Sequence, residues 1–193
     1  MKNVCVFLGS NPGLTPAYAE TAVALGRLMA ARGLGLVYGG AKNGLMGVLA
    51  GAVKEAGGRV VGVLPGFLKA KELAFEGLDE MHEVDSMHQR KARMAELSDA
   101  FLALPGGLGT LEEIFEVATW GQLGLHDKPV GFLDAHGYYV KLSEFLDHMV
   151  SQGFLKAQHR ANLLFGDDPA ELLDLMERFR PAVLGKWYGL EKS

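Results

Sequence analysis

Residues 100–110, AFLALPGGLGT, decide the fold, because a short apolar run passes directly into a glycine-rich turn. Two more apolar runs end in the same way, at Leu8-Gly9-Ser10 and at Tyr38-Gly39-Gly40. In an open parallel sheet the carboxyl ends of such strands lie at one edge, where ligands bind. The three turns therefore predict an anion or nucleotide crevice at that edge.

Short apolar runs alternate along the chain with stretches of helical period, which is typical of parallel strands joined by crossover helices. The predicted strands are 4–8, 35–38, 59–64, 81–84, 100–104, 129–133 and 162–165. The predicted helices are 16–31, 44–56, 86–97, 111–123, 138–152 and 169–179. No linker interrupts this alternation, so we predict a single α/β domain over residues 1–193, a Rossmann-like doubly wound parallel sheet of about six or seven strands.

Composition excludes several classes of protein. The 193 residues are 49% hydrophobic and 22% charged, as in ordinary globular chains, and the 26 glycines are not periodic. Cys5 is the single cysteine, which excludes an intramolecular disulfide and a cysteine zinc site, and the 6 histidines lack ligand spacing. We expect neither a metal nor a cofactor.

Charge and hydropathy limit the partners. The net charge is -4 and no basic tract is long enough to follow a nucleic-acid backbone, so we expect no nucleic-acid partner. No apolar run approaches the roughly 18 residues of a membrane span, and the apolar run near the amino terminus, Val4 to Leu8, is too short for the core of a signal peptide. We therefore expect no membrane partner and a cytoplasmic location.

The turn PGGLGT at 105–110 suits a phosphate group. Glycines allow backbone N–H groups to crowd an anion, and the helix that follows adds the positive end of its dipole. The segment lacks the lysine of a Walker loop, and it does not have the Gly-x-Gly-x-x-Gly order of dinucleotide-binding proteins.

Glu113 has two interpretations. Thr110 and Glu113 have the spacing of a capping box, in which Thr110 is the N-cap and Glu113 binds back to its N–H group. Alternatively, a carboxylate in the first turn of this helix faces the sugar of a bound nucleotide. The two roles are compatible at different stages of a reaction.

Arg90 lies on an apolar stripe with Met87, Met94 and Leu97, at the spacing of one helix face. A charge on a packing face is costly unless it is paired, so Arg90 is expected to meet a carboxylate or an anion. The alternative is that its stem carries the charge past the stripe to water. Lys91 falls on another face and is expected to be solvated.

Three segments carry a family resemblance: MHQRKA at 87–92, PGGLGTLEE at 105–113 and TWGQLGLHDKP at 119–129. The chain resembles the LONELY GUY (LOG) family of cytokinin riboside 5′-monophosphate phosphoribohydrolases, often labelled "possible lysine decarboxylase". The resemblance implies a hydrolase that splits the N-glycosidic bond of AMP or an N6-modified purine nucleoside 5′-monophosphate into free base and ribose 5-phosphate.

The resemblance also implies roles for particular residues. Arg90 and Glu113 are the catalytic pair. The substrate and phosphate contacts are Gly106, Gly107, Gly109, Thr110, Lys91, Thr119, Glu72, Gly9, Ser10, Gly39, Gly40 and Met87. Family analogy further suggests a homodimer whose site borders the interface, with Met94, Phe115 and Trp120 as either contact or core residues.

Two other functions require different residues. Pyridoxal-phosphate decarboxylation needs a Schiff-base lysine in a deep pocket, and the lysines considered for it, Lys54, Lys69, Lys71 and Lys91, are all expected to be solvated. The glycine-rich loop is also similar to that of molybdenum-cofactor carrier proteins, so a non-catalytic nucleotide- or cofactor-binding protein is the alternative. A pure binder gains nothing from a carboxylate beside an anionic ligand, which favours the enzyme.

Overall fold

Seven parallel strands form one sheet in the order β4-β3-β2-β1-β5-β6-β7. The computed structural model describes residues 1–72 and 74–182, and for 70–72 only the backbone. The strands are β1 (Asn3–Phe7), β2 (Gly35–Tyr38), β3 (Val60–Pro65), β4 (Glu80–Val84), β5 (Ala100–Ala103), β6 (Val130–Leu133) and β7 (Leu163–Gly166). The predicted fold class and all seven predicted strands are confirmed. The single-domain assignment extends to 183–193, which lie outside the described residues.

Helices cover both faces of this sheet. They are α1 (Pro16–Ala31), α2 (Gly44–Glu55), α3 (Gly66–Glu72), α4 (Met87–Glu96), α5 (Leu108–Leu123), α6 (Val140–Ser151), α7 (Ala157–Ala161) and α8 (Pro169–Arg178). The sequence analysis missed α3 and α7, which are too short to show a helical period.

The sheet separates two apolar cores. Successive residues of β1 alternate between them: Val4 and Val6 pack with α1 and α2, whereas Cys5 and Phe7 pack with α4 and α5. Strands covered on both faces need apolar residues at every position, which explains the uninterrupted runs of the sequence. Across the described residues, no helix combines the length and the hydropathy needed to cross a membrane.

Two helices begin at least two residues away from their predicted starts. The helix expected at 111–123 begins at Leu108, because Gly107 takes an extended conformation and serves as its N-cap. The helix expected at 138–152 begins at Val140, after a 3-10 turn at Ala135–Gly137. His136 and Gly137 have positive φ values of 55° and 72°, which interrupts regular helix at this point. Both differences lie at the carboxyl edge of the sheet.

Candidate active site

Arg90 is held at the carboxyl edge of two strands. Its side chain comes from the buried face of α4, and the residue is only 6% exposed. Nε donates a hydrogen bond to the carbonyl oxygen of Val63 in β3 at 3.1 Å, and Nη2 donates to that of Gly39, just after β2, at 3.0 Å. The alternative in which the charge passes out to water is therefore wrong.

Gly39 leaves the room that this guanidinium needs. A Cβ atom at position 39 would lie 2.0 Å from Nη2 of Arg90, far inside contact distance. The φ of Gly39 is not positive, so its backbone conformation does not call for glycine. The close approach of the Arg90 side chain does. Gly40 has a φ of 78°, and its carbonyl oxygen accepts a hydrogen bond from the backbone of Phe75.

Glu113 faces inward from α5 and does not cap it. Because α5 begins at Leu108, Thr110 is already its third residue and Glu113 lies in the second turn, where no N-terminal N–H group is in reach. The capping-box interpretation is therefore wrong. Thr110, Glu113 and Val117 share one face of the helix; Thr110 and Val117 are buried, and Glu113 is partly buried.

Arg90 and Glu113 act electrostatically on the same buried group, the thiol of Cys5 in β1. Burial raises the pKa of Cys5, the carboxylate of Glu113 raises it further, and the guanidinium of Arg90 lowers it. The helices that carry these two charges, α4 and α5, pack on the face of the sheet that Cys5 faces, so the two charges come from the same side of the sheet.

A cavity of about 270 Å³ opens beside the two glycine turns that follow β1 and β5. Its lining includes Gly9, Ser10, Gly106, Gly107, Tyr18 and Tyr138. The N-cap of α5 provides no side-chain cap, so the first N–H groups of this helix are left for another acceptor. A Cβ atom at Gly107 or Gly109 would meet nothing within 4 Å, which leaves open space beside the Cα atoms of these residues. The arrangement suits an anion.

Lys91 is buried, contrary to expectation. It is 5% exposed, and its Nζ forms ion pairs with Glu112 and, at 2.9 Å, with Glu116. Burial lowers the pKa of Lys91, but the two carboxylates outweigh this effect and the pKa is raised. The expectation failed because Glu112 and Glu116 of α5 lie within reach of the ammonium group of Lys91. Lys91 joins the helix of Arg90 to the helix of Glu113, which makes it a poor candidate for a Schiff base.

Several other residues of the predicted site have different surroundings. Thr119 is exposed, donates a hydrogen bond to the carbonyl oxygen of Phe115 at 2.7 Å, and lines a second cavity of about 160 Å³ with His126. The Sδ atom of Met87 lies 3.9 Å from Nη1 of Arg90. Glu72 ends α3, and its side chain lies outside the described part of the chain.

Two residues that line the cavity, Tyr18 and Tyr138, are not among the predicted site residues. Their rings make an edge-to-face contact with centroids 5.8 Å apart. The sequence position of Tyr138 could have indicated this role, because Tyr138 follows the turn after β6, at the edge of a parallel sheet where ligands bind.

The fold and the site define a Rossmann-like α/β protein with a glycine-lined cavity at the carboxyl edge of its sheet. The model of the family described as "Possible lysine decarboxylase" matches residues 46–176. The chain is 47% identical over 180 residues to the probable cytokinin riboside 5′-monophosphate phosphoribohydrolase LOGL2 of Oryza sativa subsp. japonica, which covers 93% of this chain and 74% of the relative. It is 46% identical to the phosphoribohydrolase LOG3 of Arabidopsis thaliana, over 93% and 84% of the two chains. The chain belongs to the LOG family, as the sequence motifs predict.

One solved relative shows how widely this fold is used. The molybdenum cofactor carrier protein of Chlamydomonas reinhardtii has a TM-score of 0.71 and 21% identity, over 92% of this chain and 96% of the other. At that identity the likeness shows the shared fold alone.

The buried Lys91 cluster generates a stability prediction. Lys91→Gln leaves the carboxylate of Glu116, which is 24% exposed, without its cation, so the free energy of unfolding is expected to fall by about 1–3 kcal/mol. Lys69→Gln is the matched control, because Lys69 and Glu83 are 54% and 57% exposed and such pairs contribute about 0–1 kcal/mol. Urea unfolding checks both variants, and equal losses would contradict the assignment.

Proposed function

We propose that this chain hydrolyses the N-glycosidic bond of an N6-modified purine nucleoside 5′-monophosphate, releasing the free base and ribose 5-phosphate. The observation that carries the proposal is the placement of two inward-facing charges, Arg90 on α4 and Glu113 on α5, on one side of the sheet. The start of α5, which has no side-chain cap, lies at the carboxyl edge of the same sheet. The printed activity of the LOG relatives supports the same reaction.

The 5′-phosphate is assigned to the start of α5. The backbone N–H groups of Gly107 to Thr110 and the helix dipole favour an anion, and the open space at Gly107 and Gly109 admits one. Gly9 and Ser10 line the opposite wall of the cavity. In this arrangement the sugar extends from the phosphate toward the side of the sheet that carries Glu113.

Glu113 is assigned to the sugar. Breaking the bond between the base nitrogen and C1′ leaves the electron pair on the base and builds positive charge on the ring, which a nearby carboxylate stabilises. The oxygen of water, or first that of Glu113, forms the new bond to C1′, and the departing base takes up a proton.

Arg90 is assigned to orient the substrate. Its Nε and Nη2 are held by backbone carbonyl groups, whereas Nη1 contacts only the weakly accepting sulfur of Met87 at 3.9 Å among the described hydrogen bonds. Nη1 is thus the group that we assign to the phosphate or to the departing base. A guanidinium fixed in advance orients a ligand without losing side-chain freedom on binding.

We further propose that the protein is a cytoplasmic homodimer whose site lies near the interface. The buried free thiol of Cys5 suits a reducing compartment. Exposed apolar side chains at Leu125, Phe145 and Phe154 support an association surface near the end of α5 and along α6. Met94, predicted as either a contact or a core residue, lies in the core at 1% exposure. A monomer in sedimentation equilibrium would contradict the dimer.

The reaction is tested with purified protein and AMP or a cytokinin riboside 5′-monophosphate, with free base and ribose 5-phosphate measured by chromatography. We expect stoichiometric release of the two products. Arg90→Lys and Glu113→Gln are each expected to lower kcat/KM by about 100-fold or more without loss of the folded state. Glu96→Gln, on the exposed side of α4, is the control and retains activity.

Full activity in both variants would refute the assignment of Arg90 and Glu113. Tight binding of the nucleotide with no product under any pH would refute the hydrolase and favour the carrier alternative.

The close approach at Gly39 makes a separate prediction. Gly39→Ala places a methyl group against Nη2 of Arg90, so the guanidinium must shift, and kcat/KM is expected to fall by about 100-fold. Gly51→Ala is the matched control in α2, where the new Cβ meets nothing within 4 Å and a helical alanine adds about 0.5–1 kcal/mol of stability. Unchanged kinetics in Gly39→Ala would show that the position of Arg90 does not limit the reaction.

A further inference from the structure

Three consecutive carbonyl groups of the loop between β5 and α5 are held by other parts of the protein. The carbonyl oxygen of Leu104 accepts a hydrogen bond from the hydroxyl of Tyr139 at 2.6 Å. That of Pro105 accepts from the backbone N–H of Gly9 at 3.0 Å, and that of Gly106 accepts from the hydroxyl of Tyr138 at 2.6 Å. The hydroxyl groups of two adjacent tyrosines therefore donate hydrogen bonds to alternate carbonyl groups of the loop.

A hydrogen bond to a backbone carbonyl group also orients the N–H group of the next residue, if that residue has one. A carbonyl group and the N–H group of the following residue share one planar trans peptide unit and point in opposite directions. The bond from Tyr138 therefore fixes the direction of the Gly107 N–H group. The bond from Tyr139 aims no amide, because the residue after Leu104 is Pro105, which has no N–H group.

The turn after β6 brings both tyrosines to the loop. Asp134 accepts a hydrogen bond from the backbone N–H of Tyr139 at 2.5 Å, and the left-handed residues His136 and Gly137 lie between them. Tyr139 is 1% exposed, whereas Tyr138 is 43% exposed and lines the cavity. Burial raises the pKa of Tyr139, so its hydroxyl keeps its proton.

We propose that Tyr138 is a positioning residue that gives the site its preference for a phosphorylated ligand. Its hydroxyl turns the Gly106 carbonyl oxygen away from the anion and aims the Gly107 N–H group into the cavity. Without this bond the peptide unit between Gly106 and Gly107 can rotate and turn its carbonyl oxygen toward the phosphate. The carbonyl oxygen would then repel the phosphate. The inference rests on the proposed assignment of the phosphate to the start of α5.

The test compares ligands that differ only in the phosphate. Calorimetry measures the Kd of AMP, ribose 5-phosphate and adenosine in the Glu113→Gln background, where AMP turnover is suppressed, with and without Tyr138→Phe. Steady-state kinetics with AMP on the wild type and on Tyr138→Phe gives KM and kcat. In Tyr138→Phe we expect Kd for AMP and ribose 5-phosphate, and KM for AMP, to rise about 5- to 10-fold. Kd for adenosine and kcat are expected to stay within about 2-fold. Equal weakening of AMP and adenosine binding, or no weakening, would overturn the proposal.

Tyr139→Phe is the matched control, because it removes an equally short bond from the same loop but leaves no amide misdirected. We expect a lower melting temperature with the ratio of the AMP and adenosine Kd values unchanged. A change of that ratio as large as in Tyr138→Phe would show general loosening of the loop and would overturn the proposal.

These outcomes separate the inference from the hydrolase. If the wild type binds AMP and ribose 5-phosphate without releasing base, the hydrolase fails, and the Kd values for Tyr138→Phe still decide the inference. If the wild type binds neither ligand, both fail.

Discussion

The site depends on the buried guanidinium of Arg90, held between the carbonyl oxygens of Val63 and Gly39. A cation taken out of water is costly unless strong acceptors replace its hydration. In a parallel sheet, such acceptors lie where strands end and their carbonyl groups leave the ladder. The burial of Arg90 therefore fixes α4 against the ends of β2 and β3, and it requires a residue without a side chain at Gly39.

A second constraint comes from the start of α5. This helix begins at the carboxyl edge without a side-chain cap, and we propose that its first amides bind an anion at the same edge that holds the cation of Arg90. Lys91 joins α4 to α5 through Glu112 and Glu116 and fixes the distance between the two helices. The charges that would contact a nucleotide are thus set by the packing of the two helices before any ligand arrives.

The sequence predicted the elements whose pattern is local and strong. Apolar runs ending in glycine revealed the strands, and the place of Arg90 on an apolar stripe indicated a buried charge. The start of α5 was misjudged because a leucine and two glycines do not resemble the first turn of a helix, although the extended Gly107 begins one there. Lys91 was expected in water because the period of α4 shows the side that faces the sheet, and not the two carboxylates of α5 that pair with Lys91. The hydroxyl bonds of Tyr138 and Tyr139 join residues 32 and 35 positions apart, which no local pattern reveals.

The central claim is that one nucleoside monophosphate spans the start of α5 and the two charged side chains. The most direct measurement is a crystal structure of the Glu113→Gln variant with AMP bound. We expect the phosphate to lie within hydrogen-bond distance of the N–H groups of Gly107 to Thr110. We expect C1′ to lie beside residue 113, and Nη1 of Arg90 to contact the phosphate or the base. A phosphate bound elsewhere, or a sugar turned away from Arg90 and residue 113, would contradict it.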